Sequence, residues 1–190
     1  MEAIVSDTLA WNDTLSEILK YSLLRRDPKA GTLEIHRLVQ AVLKQGMDEA
    51  TQCWWAERAV RAVSHVFPEV ELSTWTVCER LLPQAYACAE LINQYGFEFS
   101  EAARLLNQAG VYLYEHGRYT EAEPFYERAL AIREKALGPE HPDVATTLEN
   151  YASLLRKMDR SQEAEPLESR ARAIRAKKRL IRNPGSEPGR

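Results

Sequence analysis

From Glu101 onward the apolar residues recur at three- and four-residue spacing. "SEAARLLNQAGVYLYEHG" puts Ala103, Leu106, Ala109/Gly110 and Leu113 on one face of a helix. Ser100 is placed to cap its start, and Gly117 to close it in a left-handed turn. "TEAEPFYERALAIREKALG" carries a second stripe, Ala122, Phe125/Tyr126, Ala129 and Ile132, opened by a Thr120–Glu123 capping box and ended by Gly138. Pro124 lies close to the first turn, where a missing N–H does least damage. In "GPEHPD", His141 reads as a helix cap and Pro142 suits the first position of the next helix. The pattern then returns: Ala122 and Ala164, Pro124 and Pro166, Arg128 and Arg170, Ala129 and Ala171, and Ile132 and Ile174 are each 42 residues apart. A fixed period of this size is the mark of repeated supersecondary units. Two slots break it, since Tyr126 gives way to Glu168 and Leu130 to Arg172. A repeat within a stack must offer apolar surface to its successor, whereas the last must face water, so the second copy reads as a cap.

Upstream the period is not visible. "DEATQCWWAERAVRAVSHVF" predicts a helix with Trp54, Trp55, Ala59, Val63 and Val66 turned inward, and "STWTVCERLLPQAYACAELINQYG" a second helix, bent or broken at Pro83. In the first 48 residues, "TLSEILKYS" is helical, "SLLRRD" and "GTLEIH" are short strands around "PKAG", and "HRLVQAVLKQGM" is a helix. The expected organisation is a hairpin-bearing segment over 1–48, a degenerate helical pair or linker over 49–98, two repeats with a C-terminal cap over 99–178, and a disordered basic tail over 179–190.

Small residues at Ala109/Gly110, Ala122 and Ala129 let two antiparallel helices approach, while Leu106, Leu113 and Tyr126 fill the space between pairs. With the stretch "AEPFYERALAIREKALGPEHPDVATTLENYA", residues Glu101 to Lys178 resemble the tetratricopeptide repeat, in its kinesin light chain variety. "LSEILKYSLLRRD…TLEIHRLVQAVL" is similar to the winged-helix subdomain of bacterial NB-ARC (STAND-type) ATPases that carry repeat arms. The fold these resemblances imply is all-α: an antiparallel helix-pair solenoid preceded by a partial winged-helix segment with a small β-hairpin.

The chain of 190 residues has a net charge of -3, so it is no polyanion binder as a whole, but Glu168 to Arg190 alone carries +6. A solvated helix end and a nucleic-acid contact are both readings of that charge, and the overall balance disfavours nucleic acid. Cys53, Cys78 and Cys88 form no C-x-x-C pair and leave one over, which argues for buried thiols in a reducing compartment. The first residues are too polar for a secretory signal, and no apolar run approaches ~20 residues, so no membrane partner and a cytoplasmic address are expected.

Catalytic chemistry finds no footing. His36, His65, His116 and His141 lie in different elements without metal-ligand spacing, no serine has a nucleophile-elbow context, and acid pairs such as Glu121/Glu123 are surface neighbours. No G-x-x-x-x-G-K-[ST] is present. The expectation is a non-enzyme with no cofactor, no metal and no catalytic residue. The ATPase resemblance implies that His36, followed by Ile35-flanked Arg37 where the family has Asp, would touch ADP only if a nucleotide-binding core were supplied. Capping or packing the helix is the other reading of His36.

Binding is what remains. The tetratricopeptide resemblance implies a groove lined by Arg104, Asn107, Gln108, Val111 and Tyr114 in the first repeat and by Thr146, Glu149, Asn150, Ser153, Arg156 and Lys157 in the second. Gln108 and Asn150 share one slot of the period, so an amide, both donor and acceptor, recurs there and could grip a peptide backbone. Arg104, Arg156 and Lys157 suit an acidic or carboxylate-bearing protein or peptide. The alternative is that all are ordinary solvated residues. The function this implies is a protein-interaction module, the docking arm of a STAND-like ATPase truncated of its core. Self-association through Trp54 and Trp55 is the second reading, and a nucleic-acid binder using wing and tail the third.

Overall fold

The computed structural model describes residues 24–27 and 32–182, with side chains from 34 to 179. The expected helix at "TLSEILKYS", the "PKAG" turn and the tail beyond Arg182 lie outside the described residues. The chain divides into two compact units, Met1–Gln52 and Cys53–Arg190.

In the first unit, β1 (Leu24–Asp27) and β2 (Thr32–Ile35) pair antiparallel, with Leu24 opposite Ile35 and Asp27 opposite Thr32. Helix α1 (Arg37–Gln45) follows at once. His36 is its N-cap: Nδ1 accepts from the Leu38 N–H at 3.3 Å, and Gln40 Nε2 donates to the Ile35 carbonyl at 2.8 Å. The Asp48 carboxylate accepts from the Thr51 N–H at 2.7 Å, starting helix α2 (Glu49–Val66). That bond holds the Asp48 carboxyl below its usual range.

The second unit contains most of α2, α3 (Trp75–Tyr95), α4 (Ser100–Glu115), α5 (Tyr119–Leu137), α6 (Pro142–Lys157) and α7 (Ser161–Arg182). Helices α4 and α5 close into one hairpin, α6 and α7 into the next, and α5 packs on α6. Both ends of α6 lie 42 residues beyond those of α4, Ser100 against Pro142 and Glu115 against Lys157, so the sequence period is a structural one. The architecture is an all-α, tetratricopeptide-like stack. Every expected stripe residue of α4 and α5 is buried, and Leu106, Leu113, Tyr126 and Ile132 are essentially fully so. Gly117 and Gly138 end α4 and α5 with φ of +70° and +88°, backbone that glycine adopts without strain. His141 caps α6, its Nδ1 accepting from the Asp143 N–H at 3.2 Å.

Several expectations are corrected. Ser100 is the first residue of α4, behind Phe99, and its hydroxyl binds Glu101 rather than a helix N–H. The Thr120–Glu123 box does not form, because α5 begins one residue earlier, at Tyr119. There the Arg118 N–H reaches back to the Leu113 carbonyl at 2.9 Å. Pro124 consequently falls beyond the first turn, inside the helix. Helix α3 runs unbroken through Pro83. In α2 the inward residues are Ala56, Val60 and Ser64, continued by Phe67, while Trp54, Trp55 and Val66 are exposed. Nor does α2 close on α3 as α4 closes on α5. Its polar links run to α4, with the Ser64 hydroxyl donating to the Glu101 carbonyl at 2.8 Å and Arg61 pairing with Glu101.

A repeat-like register does extend into α3, two residues out of phase. Cys78, Leu82, Ala85 and Cys88 are buried there as Ala122, Tyr126, Ala129 and Ile132 are in α5, at a spacing of 44 rather than 42. At the far end Arg172 is exposed and Glu168 is half-buried in an ion pair with Arg156 at 2.5 Å, which fits a terminal repeat. Helix α7 continues to Arg182, past the expected start of the tail at 179.

Candidate peptide-binding groove

The first helices of the two hairpins, α4 and α6, line a groove whose wall includes Arg104, Asn107, Gln108, Val111, Thr146 and Asn150. Tyr114, Ser153, Arg156 and Lys157 are not part of that wall. Tyr114 packs its ring against Tyr119 at 5.7 Å. The Ser153 hydroxyl donates to the Glu149 carbonyl on its own helix at 2.9 Å. Arg156 is held bidentately by Glu168, and Lys157 is exposed at the end of α6. Glu149 is drawn to Arg175 of α7 at 2.9 Å.

The amides form a ladder across the repeats. Asn107 is buried, and its Oδ1 accepts from Asn150 Nδ2 at 3.3 Å. Two asparagines at non-equivalent slots of successive repeats thus meet, each keeping unused donor or acceptor capacity. Gln108, which shares the period slot of Asn150, instead donates to Glu69.

Two wall residues were not found from sequence. Glu69, between α2 and α3, accepts from Arg104 Nη2 at 3.1 Å and from Gln108. The cation expected to meet a partner therefore already has a carboxylate. Arg133, near the end of α5, is 9% exposed. Its Nη1 donates to the Asp143 carbonyl at 2.8 Å and to Thr147 Oγ1 at 2.6 Å, tying α5 to α6. Burial holds its pKa below the usual arginine value, because no carboxylate is paired with it among the described residues. The period carried a signal for it, since Arg175 stands 42 residues on and reaches Thr146 Oγ1 at 2.9 Å. Glu69 left none, lying 35 and 39 residues from its two donors.

Elsewhere the titratable groups are structural. His116 Nδ1 meets the Tyr112 carbonyl at 2.8 Å, and its ring packs on Tyr112 and Trp75. Cys78 and Cys88 are buried free thiols, and burial pushes Cys88 up to about 11. Among the described residues no group of three His, Cys, Asp or Glu could hold a metal, and no helix is long and apolar enough to cross a membrane.

Fold and groove together define a helical-repeat protein of the tetratricopeptide kind. Residues 101–177 match the family described as tetratricopeptide repeat, and residues 1–52 match a domain of unknown function (DUF7779). A relative described as a nucleotide-binding leucine-rich repeat (NLR)-like protein, from Hyaloscypha variabilis, is 30% identical over 131 residues, or 68% of this chain. The chain spans 13% of that relative's length.

Proposed function

We propose that the chain is a protein-interaction module in which an extended partner segment lies along α4 and α6, gripped through its backbone by Asn107 and Asn150. The observation that carries this reading is the Asn107–Asn150 amide bridge on the wall of an open groove. Packing alone does not call for a buried amide there, and a peptide backbone offers the matching donors and acceptors. The tetratricopeptide match over the same residues supports it. Peptides selected against the chain from a displayed random library test it. Asn107→Ala with Asn150→Ala is expected to weaken the selected peptides by about tenfold or more, two hydrogen bonds at roughly 0.5–1.5 kcal/mol each. Undiminished binding, or protection mapping away from α4 and α6, would overturn it.

In its larger setting this arm belongs to a STAND-like ATPase, with residues 1–52 as the back half of a winged-helix subdomain. The hairpin followed by a helix capped at His36, and an NLR-like relative about eightfold longer, support that reading. A partner in the groove would then bias the ATPase between closed and open states. Self-association stays as the second reading because Trp54, Trp55 and Leu72 are exposed. A nucleic-acid role loses support, since Arg170, Arg175 and Lys177 of α7 are already paired with Glu134, Glu149 and Glu140.

A further inference from the structure

Resting on the groove reading, we propose that Glu69 is a tethered stand-in for a partner's carboxylate, and that the bound segment displaces it with an aspartate or glutamate side chain. The seat is built independently of its occupant. Arg104 Nη1 is fixed by the backbone carbonyls of Ser64 at 2.5 Å and Phe67 at 3.1 Å, which leaves Nη2 to meet Glu69 Oε1 at 3.1 Å. Gln108, buried and one helical turn further on, donates to the other oxygen of the same carboxylate. Two fixed donors thus clasp the two oxygens of one anion. A neutral amide, with a single oxygen, would leave one of them unpaired and desolvated.

The occupant is held far less firmly than the seat. The Glu69 side chain is 70% exposed, where an ion pair contributes little and is screened by salt. Being tethered, it competes as a ligand at an effective concentration in the millimolar range. Displacement is also the one way an acidic segment fits. Glu69, Glu101 and Asp143 line the same groove, so a carboxylate entering beside Glu69 would meet like charge, whereas one replacing it inherits both donors. Arg133, buried nearby without a carboxylate of its own, favours an anion in the groove in either case.

The test uses the isotope-labelled 190-residue chain, with N-acetyl-glutamate amide as probe and N-acetyl-glutamine amide as its neutral control. Side-chain NMR signals of Gln108 and Arg104 report occupancy. Glu69→Ala is expected to lower the concentration at which the acidic probe saturates by about three- to tenfold. The neutral probe is expected to act on neither protein. Adding Gln108→Met to Glu69→Ala, with helix content unchanged by circular dichroism, is expected to remove the response. Equal responses of parent and Glu69→Ala, equal action of the two probes, or no response in either protein would each overturn the proposal. If it falls while selected peptides still depend on Asn107 and Asn150, the groove stands without a carboxylate seat. If that dependence is missing too, the groove reading falls with it.

Discussion

A methyl group at residue 110 would have nowhere to go. A Cβ built on Gly110 comes within 3.0 Å of the Tyr126 ring, which is 1% exposed and stacked on Tyr151 at a centroid distance of 6.4 Å. In the second repeat the same two slots hold Ala152 and Glu168, so the methyl appears where the ring has gone. The two exchanges are one event, although the period presents them as separate lapses. Gly110→Ala should therefore lower stability by about 1–2 kcal/mol, overpacking of ~1–3 kcal/mol outweighing a helix-propensity gain of up to ~1. In a Tyr126→Leu background the same change should be neutral or stabilising. Urea denaturation of the four proteins gives the coupling directly, and additive effects would mean the ring does not set the identity of residue 110.

At the scale of elements, the helix faces of the repeats were legible in the sequence while helix starts and polar ties were not. Stripes such as Ala122, Tyr126, Ala129 and Ile132 follow from periodicity because burial of a whole face decides them. The start of α5 turns on single contacts instead, and Arg118 took the position that Thr120 was expected to hold. In α2, size misled: the face that packs is Ala56, Val60 and Ser64, small enough for the Ser64 hydroxyl to reach the Glu101 carbonyl, and the two tryptophans stay outside. Half of the candidate groove was readable because α4 and α6 obey the period. Glu69 was not, since an ion pair across so much chain has no local pattern.

One such tie, between α3 and α5, makes a pH prediction. Glu121 accepts from Tyr86 at 2.7 Å and from Arg118, and these bonds, Arg118's first, hold its carboxyl down at about 2. A carboxyl depressed in the folded state contributes stability that is complete above its unfolded value of about 4.3 and is lost as pH falls through the folded one. Glu121→Gln should accordingly flatten the fall in Tm between about pH 4.5 and pH 2 relative to the parent. Parallel acid limbs would show that the tie is not formed in solution.

For the repeat stack as a whole, the question is why it stops. Tyr126 and Leu130 of α5 face forward: Tyr126 stacks on Tyr151 of α6, and Leu130 packs on Val144, Ala145 and Leu148. Their counterparts on α7 are Glu168, engaged by Arg156, and Arg172, whose Nε turns back to the Glu168 carbonyl at 3.3 Å. Burying that face under another hairpin would strip water from charges whose best partners are already taken, at several kcal/mol per ion in a dry interface. The stop is thus chemical rather than a matter of backbone geometry, because α7 keeps the helical form and the buried Ala164, Ala171 and Ile174 of its predecessor's slots. Restoring the first repeat's residues, Glu168→Tyr with Arg172→Leu, should expose an apolar end that seeks a like neighbour. In sedimentation over a range of concentrations, the weight-average mass of this variant should rise above that of the parent at tens of micromolar, whatever the parent's own state. A variant that sediments as the parent does would place the stop elsewhere than in these two side chains.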